Sequence, residues 1–361
     1  MKLDRRSYVL LWTGFFCIAG LALATGVARA MIVNGALAGL SADRSSKATT
    51  TAVGYSDYTG LPLYSKSALG SRALGVMIAG DPITRPQSGI GQADIVVEME
   101  AAPGITRLLA IFQSVLPKEI GSIRSARNDY IDLAAGFDAV LVHWGGEKRA
   151  LERLAASDTA EVDQFANGDL FYRKLNVPAP HNGFTSGDYL EEGLERYDYE
   201  RAPKFDAWEF SQDAPLAERP AGGTLELTYG SGDFDVTYEY DQASNSYQRH
   251  QGGAPHTDAN TGKMVQPKNV LVLRANYFVY SSAGAYLQFD IAKGGECSLY
   301  QNGQELDCKW QKGQDESDPI VLKEGKTGRK LPLVAGQTWI QVMLPTAAVT
   351  WTPTPVAGLL Q

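Results

Sequence analysis

Apolar runs alternate with charged turns in the segment RPQSGIGQADIVVEMEAAPGITRLLAIFQSVLPKEIGSIRSAR (85–127). Two of these runs, DIVVEME (94–100) and TRLLAIFQSV (106–115), are rich in Val, Ile, Leu and Phe and are bounded by Gly and Pro, which predicts two buried strands. Four arginines lie at the ends of these runs and in the turns: Arg85, Arg107, Arg124 and Arg127. This density of charge predicts a polar site there rather than a core.

The flanking sequence predicts a mixed α/β domain over residues 73–200. LGVMIA (74–79) and AVLVHW (139–144) have the composition of buried strands. Apolar residues that recur on one face predict three helices. They are expected over 129–137, with Asn128 as a candidate cap, over 147–157 and over 187–197.

The second half of the chain, residues 222–350, is predicted to be a β-rich domain. Strand-like runs such as NVLVLRANYFVY (269–280) and TWIQVML (338–344) are separated by Gly, Asn, Asp and Ser. The predicted fold class is therefore α+β, a mixed α/β N-terminal half followed by a β-rich C-terminal half. The sequence leaves open whether the two halves share a sheet.

A disulfide is expected in the second half. Asn302-Gly303 is a strong signal for a two-residue hairpin turn. If that turn forms, Cys297 lies opposite Cys308, within the range of a disulfide. An oxidised pair would fit an exported protein.

The N-terminus predicts the compartment. A short basic flank at residues 2–6 precedes Tyr8–Val27, a run of twenty residues without a charge. Such a run is long enough to cross a bilayer, and the basic flank places the N-terminus in the cytoplasm. We expect residues 1–40 to be a single-pass anchor in the cytoplasmic membrane, residues 41–72 to be a linker, and the two domains to be extracytoplasmic. Cleavage at Ala28-Arg29-Ala30 is the alternative.

Composition excludes one class of function. The chain has 361 residues, of which 44% are hydrophobic and 20% charged, and its formal net charge is −8. A general nucleic-acid binder is usually basic, so no nucleic-acid partner is expected.

Several of these stretches resemble the YerB-like family of bacterial envelope proteins, a domain family of unknown function. The resemblance runs in order from TGLPL (59–63) to GQTWIQV (336–342). It is carried by RPQSG (85–89), ADIVVE (93–98), GITR (104–107), RSAR (124–127), VHWGG (142–146), APHNGFTS (179–186), YQR (247–249), GGAPHTDANTG (252–262) and KWQK (309–312). It implies an outward-facing protein with a membrane or lipid anchor, layered sheets with helices on one side, and no cofactor.

Three carboxylates on one predicted strand are candidates for acid–base chemistry. Asp94, Glu98 and Glu100 lie at even spacing, so all three point to one face. Hydrolysis of a glycosidic bond needs two carboxylates of different pKa, which makes Asp94 and Glu98 candidate catalytic residues. Family members usually carry a further acid and two glycines where Ala102-Pro103-Gly104 stands here, and Glu100 could substitute for that acid. The alternative is that these acids are solvated or paired with arginines.

The arginines of this region are candidates for binding a ligand. Arg85, Arg107, Arg124 and Arg127, with Asn182, are candidate ligand-binding residues, because a guanidinium presents a planar fork to a carboxylate or phosphate. The alternative is that the arginines form salt bridges with acids of the same half: Asp94, Glu98, Asp129 and Asp132.

His143 and His181 are candidate catalytic residues. His143 ends a strand, and His181 lies in a loop that could bring it close to His143. Neither H-x-H nor HExxH spacing is present, so no metal site is predicted. In the second half, Asp258 either orients His256 or forms a turn with local hydrogen bonds.

Three functions remain compatible with the sequence. The first is a membrane-anchored protein that binds an anionic envelope ligand, a cell-wall glycan or peptide, through the arginines. The second is a hydrolase of envelope polymer that uses Asp94 or Glu98 with His143 or His181. The third is an assembly protein that docks an envelope protein partner through its β-rich half.

Overall fold

A computed structural model describes residues 51–199, 201–205, 208–280 and 286–354. The described residues from Ala52 onward form one compact unit. The expected membrane anchor, Tyr8–Val27, lies outside the described residues. Within those ranges no helix is both long enough and apolar enough to cross a membrane.

Four α-helices lie in the described ranges. They are α1 (Lys66–Gly70), α2 (Asn128–Gly136), α3 (Lys148–Ala155) and α4 (Gly187–Arg196). The strands of the first half are β1 (Gly54–Tyr55), β2 (Pro62–Leu63), β3 (Leu74–Ala79), β4 (Ile95–Ala102), β5 (Ile105–Phe112), β6 (Ile120–Gly121), β7 (Val140–His143), β8 (Glu161–Asp163), β9 (Tyr172–Arg173) and β10 (Gly183–Thr185).

In the described part of the second half the regular elements are strands, apart from one short 3-10 helix, Leu216–Glu218. The strands are β11 (Phe210–Ser211), β12 (Gly222–Leu227), β13 (Val236–Asp241), β14 (Ser246–Gln251), β15 (Ala254–Pro255), β16 (Asn269–Arg274), β17 (Tyr277–Val279), β18 (Leu287–Phe289), β19 (Gly295–Gln301), β20 (Gln304–Gln311), β21 (Val321–Glu324), β22 (Leu333–Val334), β23 (Thr338–Met343) and β24 (Val349–Thr354).

The two halves share a central sheet of ten strands, in the order β21-β20-β19-β16-β23-β4-β5-β3-β7-β8. The halves join where β23 pairs in parallel with β4, with Ile340 opposite Val97. Strands β3 and β23 are buried along their whole length, which explains why their sequences are continuous apolar runs.

The sheet has a separate core on each face. Side chains alternate along β4, so Val97 joins the core beneath α2 and α3, while Val96 joins the core on the opposite face. That opposite face is covered by a second sheet, in the order β15-β14-β13-β12-β24, and by residues of α4 such as Leu190. The α+β class predicted from the sequence is confirmed, with a β-rich second half.

Two local predictions are wrong. The expected linker over 41–72 is folded in its described part, where β1, β2 and α1 lie. Its Tyr58 is fully buried, stacks on Phe205 at 4.9 Å between ring centroids, and donates a hydrogen bond of 2.8 Å to the carbonyl of Phe137. Asn128 is not the cap of α2 but its first residue; Arg127 occupies the cap position and makes no side-chain cap hydrogen bond.

The expected disulfide is confirmed. Cys297 on β19 and Cys308 on β20 are opposite each other in the hairpin, and their sulfur atoms are bonded. The turn lies at Asn302-Gly303, as the sequence predicts, and both cysteines are buried in the core beneath α2 and α3.

Candidate functional site

Three of the four predicted arginines meet near the carboxyl ends of β3 and β7, which run parallel. Arg107 on β5 pairs with Ala79, the last residue of β3. The backbone N–H of Arg124 donates to the carbonyl of Met77, and Arg127 immediately precedes α2. We call Arg107, Arg124 and Arg127 the arginine cluster. Loops at the carboxyl ends of neighbouring parallel strands are a common position for ligand sites.

Among the described residues, each guanidinium of the cluster makes a single hydrogen bond, and each of these bonds goes to a backbone carbonyl. Arg107 donates to Ser125 at 3.1 Å, Arg124 to Pro180 at 3.3 Å and Arg127 to Ala126 at 3.0 Å. The Nε atoms of Arg124 and Arg127 are buried without a hydrogen-bond partner. Because a guanidinium carries five N–H donors, most of the donors in the cluster have no acceptor in the part of the chain that the structure describes.

The acids that were the alternative partners of these arginines are engaged elsewhere. Glu98 pairs with Arg249, and Asp132 pairs with Arg153. Asp94 and Asp129 accept from backbone N–H groups. Among the described residues, no carboxylate oxygen lies within 4.0 Å of a nitrogen atom of the cluster. For Arg107, Arg124 and Arg127 the salt-bridge alternative is therefore wrong.

The three guanidinium groups repel one another. Burial, and after it the positive charges of Arg127 and Arg124, lower the pKa of Arg107 to about 9. Burial also lowers the pKa of Arg124, and Arg127 adds to that effect. The cluster is therefore a site of excess positive charge in a desolvated environment, where an anion would be stabilised strongly.

Two residues that the sequence analysis did not select lie beside the cluster. The Oδ2 atom of Asp81 lies 3.9 Å from Nδ1 of His181, and the charge of Asp81 acts on both Arg107 and Arg124. The ring of Tyr286 lies 4.6 Å from the guanidinium carbon of Arg127. Asp81 follows the predicted strand 74–79 directly, which is a usable signal. Nothing local in the sequence links Tyr286 to this site.

His181 belongs to the same site. Its Nδ1 atom is buried without a hydrogen-bond partner. Burial lowers its pKa, and the cationic Arg124 and Arg107 lower it further, whereas Asp81 raises it. The ring is therefore neutral at pH 7 and can donate one hydrogen bond to a ligand.

Arg85 and Asn182 are engaged in internal contacts. The guanidinium of Arg85 donates twice to the carbonyl of Gly80 and once to the carbonyl of Asp233, which ties the loop after β3 to the second half. The side-chain oxygen of Asn182 accepts a hydrogen bond of 2.7 Å from Arg173. These contacts make both residues structural supports at the edge of the site.

Glu98 lies at the centre of a buried polar network between the two sheets. Its carboxylate accepts hydrogen bonds from Thr106, Arg249, Gln251 and Gln341, at 2.6 to 3.2 Å. The side chain is completely buried. A substrate has no access to this buried carboxylate in the described structure, which argues against a catalytic role for Glu98.

Asp94 and His143 are also buried, in two different places. The Oδ2 atom of Asp94 accepts from the backbone N–H groups of Gln113 and Ser114, and burial raises its pKa to about 6. The ring nitrogens of His143 contact the carbonyl of Gly145 at 2.8 Å and the carboxylate of Glu161 at 2.7 Å. None of these contacts joins His143 to His181.

Glu100 is used in a turn. Its Oε1 atom accepts a hydrogen bond of 2.6 Å from the backbone N–H of Gly104, and the pairing of β4 with β5 shifts register between Glu100 and Ala102. The carboxylate therefore closes the turn between the two strands. It does not share a site with Glu98.

The loop of the second half resolves the alternatives for Asp258. Its carboxylate accepts from the backbone of Gly91 and of the following loop residues, so it forms a turn. His256 instead contacts Arg249 and the side chain of Gln87, and burial lowers its pKa well below the usual value. Within the described ranges, no group of three His, Cys, Asp or Glu side chains could hold a metal ion.

Comparison with known proteins gives consistent matches over both halves. Two family models match: the DUF3048 N-terminal domain, described as a protein of unknown function, over residues 58–200, and the DUF3048 C-terminal domain over residues 225–340. The chain is 34% identical over 280 residues to the Bacillus subtilis (strain 168) protein "Putative lipoprotein YerB", an alignment that covers 75% of this chain and 81% of that protein.

A solved structure has the same fold. The crystal structure of the YerB protein from Bacillus subtilis superimposes with a TM-score of 0.73 at 31% sequence identity, and the match covers 82% of this chain and 99% of that one. Because the two domain models match most of the sequence and a relative matches both its sequence and its fold, the chain belongs to the DUF3048 family, as YerB-like proteins do.

Proposed function

We propose that this protein binds an anionic ligand of the cell envelope, a cell-wall glycan or peptide, outside the cytoplasmic membrane to which it is anchored. One observation carries the proposal. Arg107, Arg124 and Arg127 lie together, and no carboxylate lies within 4.0 Å of their nitrogen atoms among the described residues.

Physical chemistry favours binding over a purely structural role for these arginines. A buried cation without a partner destabilises a fold, and a polar donor buried without an acceptor adds to that cost. An anionic ligand would supply both the negative charge and the acceptors. Guanidinium groups are well suited to this role because their donors form a fixed fork.

Three observations support an extracytoplasmic location. The disulfide between Cys297 and Cys308 fits an oxidising compartment. The basic flank and the apolar run Tyr8–Val27 have the sequence properties of a single-pass anchor. The family relative in Bacillus subtilis carries the description of a lipoprotein, which fits attachment to the outer face of the membrane.

The other two hypotheses have weaker support. A hydrolase would have to work without Glu98, because that side chain is buried between the two sheets. It would also have to work without contact between His143 and His181. Docking of an envelope protein partner through the β-rich half stays a prediction. No specific contact in the described residues favours either of them over anion binding.

The proposal is tested by thermal unfolding of the full-length protein with soluble cell-wall fragments, both glycan and peptide. A fragment that binds only the folded state raises the melting temperature as its concentration rises. We expect Arg124→Ala to abolish that rise. The matched control is Arg196→Ala, because Arg196 already pairs with Asp169 and Glu192. If no fragment raises the melting temperature of the wild type, the proposal is wrong.

A further inference from the structure

We infer that the group recognised by the arginine cluster is a phosphate monoester, a tetrahedral and doubly charged oxyanion. This inference rests on the proposed function and narrows its ligand chemistry. The charge around Arg107, Arg124 and Arg127 and their unpartnered donors both favour such a group.

The charge around the cluster is that of a receptor for a dianion. Asp81 is the carboxylate whose charge acts on Arg107 and Arg124, and among the described residues no carboxylate oxygen lies within 4.0 Å of a nitrogen atom of the three guanidinium groups. His181 adds no charge when it is neutral. The excess is therefore about two positive charges, which a phosphate monoester at −1.5 to −2 balances more closely than a single carboxylate does.

Asp129 does not cancel this excess. It follows Arg127 by two residues, but its oxygens accept from the backbone N–H groups of Tyr130 and Phe289. Burial raises its pKa to about 7, so the carboxyl group is only partly ionised at neutral pH. Neither of its oxygens lies within 4.0 Å of a nitrogen atom of the cluster.

The unpartnered polar atoms come from three side chains on two segments. They are Nε of Arg124 and Nε of Arg127 in one loop and Nδ1 of His181 in another, and all three atoms are buried; Nδ1 donates in the tautomer that carries its proton there. Arg127 is 7% exposed. A carboxylate offers two oxygens in one plane, whereas a phosphate monoester offers three acceptor oxygens in a tetrahedral arrangement. Donors on different segments of the chain fit a tetrahedral phosphate better than a planar carboxylate.

The start of α2 adds to the same site. Arg127 occupies the cap position of this nine-residue helix and makes no side-chain cap hydrogen bond, while Asp129 in the first turn accepts from the N–H of Tyr130. The positive end of the helix dipole therefore lies beside the cluster and favours an anion there. The side chains of His181 and Asp81 remain partly exposed, at 16% and 27%, which leaves a route of approach for a ligand.

The test is calorimetric titration of the full-length protein at constant ionic strength. The probes are inorganic phosphate, glucose 6-phosphate, and phosphatidylcholine vesicles with and without phosphatidic acid. Malonate is the matched control, because it carries two negative charges on planar carboxylates. We expect saturable binding of at least one phosphate probe, at least tenfold tighter than malonate.

Two variants distinguish binding at the arginine cluster from nonspecific attraction of an anion to positive charge. We expect Arg124→Ala to weaken phosphate binding at least tenfold and Arg196→Ala to leave it unchanged. Glucose 6-phosphate should bind more weakly at pH 5.5 than at pH 7.5, because the second ionisation of a phosphate monoester lies near pH 6. The probe that binds most tightly identifies free phosphate, a phosphorylated sugar or a lipid headgroup as the source.

Three results would overturn the inference, and they differ in what else they exclude. If malonate or cell-wall peptide binds at the cluster and no phosphate probe does, the phosphate assignment is wrong and the proposed function stands. If neither these probes nor any cell-wall fragment binds, the proposed function fails as well. Equal binding by wild type and Arg124→Ala would show that the phosphate is held elsewhere.

Discussion

The Nη2 atom of Arg249 lies 2.6 Å from the Oε2 atom of Glu98, and neither side chain is exposed to solvent. Arg249 lies on β14 of the second sheet and Glu98 on β4 of the central sheet. The ring of Trp339 lies 4.3 Å from the guanidinium carbon and shields the pair further. This ion pair therefore joins the two halves of the chain across the core that they share.

Removal of one partner of this pair is expected to destabilise the fold. Glu98→Gln would leave Arg249 as a buried cation without its counter-charge, at a cost of about 3 kcal/mol in the free energy of unfolding. Urea unfolding followed by circular dichroism measures this cost. Glu100→Gln is the matched control on the same strand and should cost about 1 kcal/mol, since it affects one hydrogen bond to a backbone N–H. A Glu98→Gln protein as stable as the wild type would contradict the structural role.

Loss of the disulfide should destabilise the fold by a similar amount. Cys297 and Cys308 are 11 residues apart, and a loop of this length corresponds to about 3 kcal/mol in the chain-entropy model. Urea unfolding of the wild type with and without a reductant measures the effect. The variant Cys297→Ser/Cys308→Ser should match the reduced wild type and should not respond to reductant. A wild type that is insensitive to reductant would show that the bond adds little.

Stability should depend on pH through Asp94. Burial raises its pKa from 3.8 to about 6, so the folded state retains a proton that the unfolded state releases. The contribution of this retained proton to the free energy of unfolding is fully present below pH 3.8 and is lost as the pH rises through about 6. Asp94→Asn cannot ionise and should not show this loss.

The free energy of unfolding of Asp94→Asn should therefore increase relative to that of the wild type as the pH rises. At pH 4 the two proteins should be similar, and at pH 8 Asp94→Asn should be more stable by on the order of 2 kcal/mol. Urea unfolding at pH 4, 6 and 8 gives the three differences. A difference that is the same at all three values would show that Asp94 is not buried as an acid.

Much of the fold was predictable from the sequence because the central strands are continuous apolar runs. Leu74–Ala79 was located to the residue, and the cysteine pairing followed from the turn at Asn302-Gly303. The folded state of the segment around Tyr58 was not predictable, because that ring is held by Phe205, a residue distant in the sequence. The two halves share one sheet because β23 pairs with β4. That pairing joins residues distant in the sequence, so no local sequence pattern indicates it.

The candidate site was predictable in part. The arginines were identified because Arg107, Arg124 and Arg127 lie at strand ends and before a helix. Glu98 was misplaced because even spacing along a strand shows which face a side chain occupies, but not that Arg249 of the other half covers that face. Tyr286 reaches the site from a hairpin of the second half, so its role is visible only in three dimensions.

The most direct test of the anion site compares the free energies of unfolding of the wild type and Arg124→Ala. Both are measured in sodium chloride alone and with added phosphate or malonate at the same ionic strength. In sodium chloride alone we expect the variant to be at least as stable as the wild type, because a repelling charge has been removed. A bound anion at ten times its dissociation constant should stabilise the wild type by about 1.4 kcal/mol and leave the variant unchanged. A variant that is less stable than the wild type by the same amount in every solution would contradict the account and make Arg124 a structural residue.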